Sequence, residues 1–308
     1  MSRRLAILLV ALAAAPARAE DEPAGFDLVP RVIFNQHLYE GPFSDPLGIA
    51  VDDAHKEILV ADTRGDRIGI FNLDGAPLFS FGGTDAVREP RQVAVDRKDR
   101  ILVLDRDATK IKVFSYRGEY LGPLPLPGMR ADARFDALAV DRDGDVYVGE
   151  QESKQVWVFG PDGKLRMRLG GHGAGSGSFS SIAGIAADAE TIVVTDHVET
   201  AVQVFDRQGR FLRGFGKHEM GREHFSLPEG VALDGKGHII VVDALRHEIK
   251  YFDTDGRFVA RFGGMGSRPG QVSFPADVAV DSSGRVYVLE RGGARVQGFD
   301  VVAAGVAQ

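Results

Sequence analysis

No cysteine occurs among the 308 residues. Its absence excludes disulfide staples, covalent c-type haem, iron–sulfur ligation, a cysteine-borne lipid anchor and a thiol nucleophile on this chain. Basic side chains are in the minority, 37 Lys and Arg against 44 Asp and Glu, for a formal charge of −7. A surface that tracks a nucleic-acid backbone needs a dominant positive field, so nucleic acid is not an expected partner. Long apolar runs are scarce as well. The one at Leu5 to Ala15 is too short to span a bilayer and none follows it, so no membrane span is expected. There is no Gly-x-Ser-x-Gly elbow, and the glycine-rich loop at 170–177 lacks the Gly-Lys-Ser/Thr of a phosphate cradle.

That short run has the layout of an export signal. Arg3 and Arg4 form a basic start, Leu5 to Ala15 an apolar middle, and Ala17-Arg18-Ala19 a small-residue cleavage site. Residues 1–19 are expected to be removed after Ala19, giving a periplasmic or secreted protein with a short lead at 20–27. Loss of the three leader arginines leaves 34 basic against 44 acidic side chains.

The rest of the chain repeats. A short apolar run ends in Asp52, Asp96, Asp141, Asp188, Asp234 and Asp281. A Val/Ile-rich run ends in Asp62, Asp105, Glu150, Asp196, Asp243 and Glu290. A third run ends in Phe71, Phe114, Phe159, Phe205, Phe252 and Phe299, spaced by 43, 45, 46, 47 and 47 residues. A period in the mid-forties with several short strands per copy predicts propeller blades. Tight turns at Asp74-Gly75, Arg117-Gly118, Asp162-Gly163, Gln208-Gly209 and Asp255-Gly256 lead into a fourth strand. The expectation is an all-β fold, a six-bladed β-propeller of four-stranded antiparallel blades over residues 28–300, with a tail at 301–308. The sixth copy lacks its own fourth strand, and Leu28 to Phe34 precede the first copy without a blade. The N-terminal strand is therefore expected to complete the last blade and close the ring.

Units such as Phe225-Ser-Leu-Pro-Glu-Gly-Val-Ala-Leu-Asp234, Ile58-Leu-Val-Ala-Asp62 and Phe211-Leu-Arg-Gly-Phe-Gly216 resemble NHL repeats. The resemblance implies a six-bladed propeller, often a protein-interaction module. The family's Asn three residues past the second-strand acid is replaced in every copy, by Gly65, Ala108, Ser153, Glu199, Arg246 and Gly293.

In this topology, residues just before the first strand and just after the second surround one mouth of the central channel. Arg91, Arg106, Asp136, His197, Glu229, Arg246, Asp277 and Arg291 are the candidate binding residues there. The recurrent acids serve the blade, accepting backbone N–H groups, because a group present in every copy answers a need of every copy. Propeller lyases resembling the family, such as the peptide-amidating lyase, place metal-binding His at the inner-strand mouths. Leu47, Arg91, Asp136, Ala183, Glu229 and Ala276 stand there instead. The expected function is thus a non-catalytic binding or scaffold propeller without a cofactor, recognising an envelope protein, peptide or glycan. The alternative is a metal-assisted lyase or lactone hydrolase with a channel cation such as Ca²⁺, held by Asp136, Glu229 and Asp277.

Overall fold

A computed structural model describes residues 25–304 apart from 85, 174 and 199. The leader at 1–19, most of the lead after it and the last four residues of the tail lie outside the described residues.

The Val/Ile-rich second strands are buried on both faces. In Glu57–Asp62, the residues Ile58, Leu59, Val60 and Ala61 are all fully covered. Burial on both sides explains why these runs are continuously apolar rather than alternating. Each faces the neighbouring blades, so the core is divided into six apolar clusters, one at each junction between blades. Outer strands such as Pro77–Gly82 are half-exposed.

Six four-stranded antiparallel sheets result. In five of them the strands follow in sequence order from the channel outward. The sixth runs Pro275–Val280, Val286–Glu290, Arg295–Ala303, and then Phe26–Phe34 on its outer edge. This N-terminal strand pairs with the last one from Phe34↔Val296 to Phe26↔Ala303. The ladder slips between Pro30 and Val32, where proline has no N–H to donate. The closing strand starts two residues before the sequence suggested, and its partner continues to Ala303. Phe26 anchors that extension against Tyr251, ring centroids 5.0 Å apart. At the other end Phe34 packs 4.6 Å from Phe71 of the first blade.

Three of the five tight-turn glycines meet two demands at once. Gly75, Gly118, Gly163, Gly209 and Gly256 all have φ between 77° and 80°, a region unfavourable to side chains. At Gly75, Gly118 and Gly256 a Cβ would also collide with Phe34, Phe81 and Phe215 from the preceding outer strand.

The innermost strands are Pro46–Asp52, Gln92–Val95, Phe135–Val140, Ile182–Ala187, Pro228–Leu233 and Pro275–Val280. Each touches the next, and the last touches the first, so they line one axial channel.

Candidate active site

The second-strand acids hold the loops at the channel mouth. Asp196 accepts the backbone N–H groups of Ser180, Ser181 and Val198 at 2.7, 3.0 and 2.8 Å. Asp243 takes those of Ser226 and Leu227, and Glu150 those of Glu152 and Ser153. Asp62 accepts from Ser44, Asp105 from Arg88 and Asp107, and Glu290 from Ser273. In every blade but the third, the acid at the end of the second strand is thereby tied to the loop before the inner strand.

Between these loops lies a cavity of about 520 Å³. Arg91, Asp136, His197, Glu229, Asp277 and Arg291 line it, bringing six of the eight candidate residues together. The remaining two lie elsewhere. Arg106 is exposed and pairs with Glu89 at 3.0 Å. Arg246 reaches the carbonyls of Glu219 and Gly221 and the Ser226 hydroxyl, tying down the loop between the fourth and fifth blades.

His197 follows strand Thr191–Asp196, and its backbone N–H donates to the Ser181 carbonyl at 3.0 Å. Its Nε2 lies 3.2 Å from Glu229 Oε2, and its Nδ1 lies 3.5 Å from Ser181 Oγ. Glu229 is itself placed by the Thr195 hydroxyl, which donates to its carbonyl at 2.7 Å. The hydrogen bond to Glu229 raises the imidazole pKa, against the opposing effect of burial; the nearby charges of Asp196 and Asp136 add to the rise.

Asp136 has its Oδ1 buried without a hydrogen-bond partner, against Gly149, where a Cβ would not fit. Burial pushes its pKa up to about 7. Arg91 makes no side-chain hydrogen bond or ion pair among the described residues, whereas Arg291 is held by both oxygens of Asp45.

Two further residues set the cavity floor. In the aligned inner strands, Gly48, Gly184 and Gly230 occupy one position, and Gln92 and Asp277 stand there in the second and sixth blades. Gln92 Oε1 accepts from the Leu138 N–H at 2.5 Å. Asp277 accepts from the N–H groups of Ile49 and Val278 at 3.0 and 2.8 Å, in space left free by Gly230. Both side chains also line a second chamber of about 210 Å³ deeper in the channel, so they form the waist between the two. Burial raises the Asp277 pKa to about 7. Gln92 and Ser181 were missed by sequence reasoning. The break in the glycine column was a usable signal for Gln92; no repeat marker pointed to Ser181.

The three carboxylates considered for a channel cation share the wall of this cavity. Both oxygens of Asp277 are engaged by backbone N–H groups, Glu229 is engaged by His197, and Asp136 Oδ1 faces Gly149. Among the described residues no three His, Asp or Glu side chains group as metal ligands. Nor, among these residues, is any helix long and apolar enough to cross a membrane.

The NHL repeat profile matches residues 273–299. The Drosophila melanogaster protein brain tumor is 30% identical over 139 residues, 43% of this chain; the chain spans only 13% of that protein's length. Among solved structures, a gluconolactonase from Xanthomonas campestris has a TM-score of 0.64 at 19% identity, covering 91% of this chain and 99% of its own. A streptogramin B lyase has a TM-score of 0.59 at 15% identity, covering 87% and 97%. A virginiamycin B lyase from Staphylococcus aureus has 0.58 at 18%, covering 92% and 90%. The fold is therefore a six-bladed propeller related to NHL-repeat proteins. The expectation of a non-catalytic scaffold or protein-binding role is overturned by these matches. The solved relatives are a lactonase and two lyases, and the enzymatic alternative is the better supported of the two.

Proposed function

We propose that this chain is an exported enzyme that cleaves the ester C–O bond of a small polar lactone in the cavity at the channel mouth. What supports the reading is the juxtaposition of His197, polarised by Glu229, with Asp136, an acid that stays protonated up to about pH 7. Two titratable groups in one cavity, shifted toward neutrality by different surroundings, form an acid–base pair. Neutral His197 accepts the proton released as a nucleophile attacks the carbonyl. Protonated Asp136 donates to the oxygen that gains charge as the C–O bond breaks. Arg91 adds a positive charge on the wall, suited to a hydroxylated or anionic substrate. A cavity of about 520 Å³ suits a small molecule rather than an envelope protein or peptide. The gluconolactonase among the similar structures supports a lactone as the substrate class.

The test is turnover of a panel of sugar and aliphatic lactones by the purified protein, followed by proton release. His197→Ala is expected to lower kcat/KM by ~10²-fold or more, while prior chelation leaves the wild-type rate unchanged, since no step above uses a cation. A rate equal in wild type and His197→Ala refutes the assignment. Appearance of an ultraviolet-absorbing unsaturated product in place of the hydroxy acid assigns elimination instead of hydrolysis.

A further inference from the structure

We infer that Ser181 is the nucleophile of this reaction and that cleavage passes through an acyl ester on its Oγ. The inference rests on the ester-cleaving reading above. Ser181 Oγ, the His197 ring and the Glu229 carboxylate stand in series, with 3.5 Å between hydroxyl and Nδ1 and 3.2 Å between Nε2 and Oε2. A hydroxyl facing a base that a carboxylate orients from its far side is the arrangement that activates a serine. The hydroxyl contact is at the long end of hydrogen bonding, as is common before substrate is seated.

The carboxylate fixes the tautomer. Glu229 holds the ring proton on Nε2, so Nδ1 keeps its lone pair toward Ser181. Backbone ties guard the pairing on both sides. Asp196 binds the N–H groups of Ser181 and Val198, and the His197 N–H binds the Ser181 carbonyl. Among the described residues lining the cavity, Ser181 carries the sole hydroxyl.

The steps balance without any co-reactant but water. Nδ1 takes the hydroxyl proton as Oγ bonds to the lactone carbonyl carbon. The ring C–O bond then breaks, the former ring oxygen takes the Asp136 proton, the imidazolium returns its own proton to Asp136 through solvent water, and the opened chain stays attached to Ser181 as an ester. Water, deprotonated by Nδ1, attacks the same carbonyl carbon. The Oγ–acyl bond breaks, Oγ recovers its proton, and a hydroxy acid leaves.

The experiment treats the intact protein with a fluorophosphonate and locates the adduct by peptide mass mapping, alongside lactone turnover for Ser181→Ala and His197→Ala. Circular dichroism and urea unfolding verify that both variants fold. One adduct at Ser181, formed at least ~10²-fold more slowly in His197→Ala, with turnover lost in Ser181→Ala by ~10³-fold, is expected. Turnover that survives Ser181→Ala but falls in His197→Ala overturns the nucleophile and leaves the acid–base assignment standing, with water attacking directly. Turnover indifferent to both variants overturns both. An adduct on another serine also overturns the assignment of Ser181.

Discussion

Asp136 has opposite consequences for stability and for chemistry. An ordinary Asp titrates near 3.8, and burial moves this one to about 7. Below about pH 3.8 the folded and unfolded chains both hold the proton. Between 3.8 and 7 only the folded chain does, so this group's stabilising contribution fades as pH rises through that window, and above it a buried charge remains. Asp136→Asn has no charge to bury. It is expected to exceed wild type by a few kcal/mol at pH 8 and to match it near pH 4, as read from urea unfolding at both values. Equal stability at pH 8 contradicts the burial argument. Turnover moves the other way, falling ~10²-fold, because an amide donates a hydrogen bond but cannot surrender a proton. Wild-type kcat/KM is expected to be bell-shaped about neutrality. His197 must be neutral, which sets the acidic limb above its ordinary 6.5, and loss of the Asp136 proton sets the alkaline limb. In Asp136→Asn the alkaline limb disappears.

Strands carry the repeat, and departures from it show where one element substitutes for another. Opposite the middle of each second strand, the third strand places Lys112, Lys250 and Gln297 in the second, fifth and sixth blades. These reach the blade acids Asp105, Asp243 and Glu290 at 2.7, 3.3 and 2.7 Å. In the first blade that position is Gly69, and His37, arriving from the segment after the closing strand, fills the space. Its Nε2 lies 2.9 Å from Asp62, with both side chains buried. His37→Ala leaves Asp62 buried with one partner fewer, and a loss of about 3 kcal/mol in the urea unfolding free energy is expected. A loss under about 1 kcal/mol would mean that the pair is dispensable. The strand order, the turns and the seam were legible because each rests on a local rule that recurs. The rim was legible as positions: six of its eight residues share one cavity. Side-chain direction was not legible. Arg106 and Arg246 turn to Glu89 and to nearby carbonyls, and Ser181 meets His197 across two loops joined through Asp196 and a backbone hydrogen bond. A spacing pattern fixes where a Cα falls on the ring, whereas these contacts depend on which acceptor lies nearest in the folded chain.

At the scale of the ring, one strand decides whether the six sheets behave as a closed body or as a row. In a row, each blade is stabilised by its own strength and that of its immediate neighbours, and a lesion at one end is not felt several blades away. Closure removes the ends, so every blade has two covered faces. Removing Phe26–Phe34 uncovers the edge of Arg295–Ala303 and strips Val32 and Phe34 from the apolar cluster shared by the sixth and first blades. Trp157, the chain's one tryptophan, sits in the third blade, across the ring from that seam. It therefore reports on a region with no direct contact to the deleted strand. A chain beginning at residue 35 is expected to show a lower urea midpoint by Trp157 fluorescence and by far-ultraviolet circular dichroism alike, with the two transitions coincident. A chain beginning at residue 25 serves as the control and should match the full-length protein. If Trp157 keeps its original midpoint while the circular dichroism signal falls in two steps, the blades unfold as neighbours in a row, and the closing strand protects only the two sheets it touches.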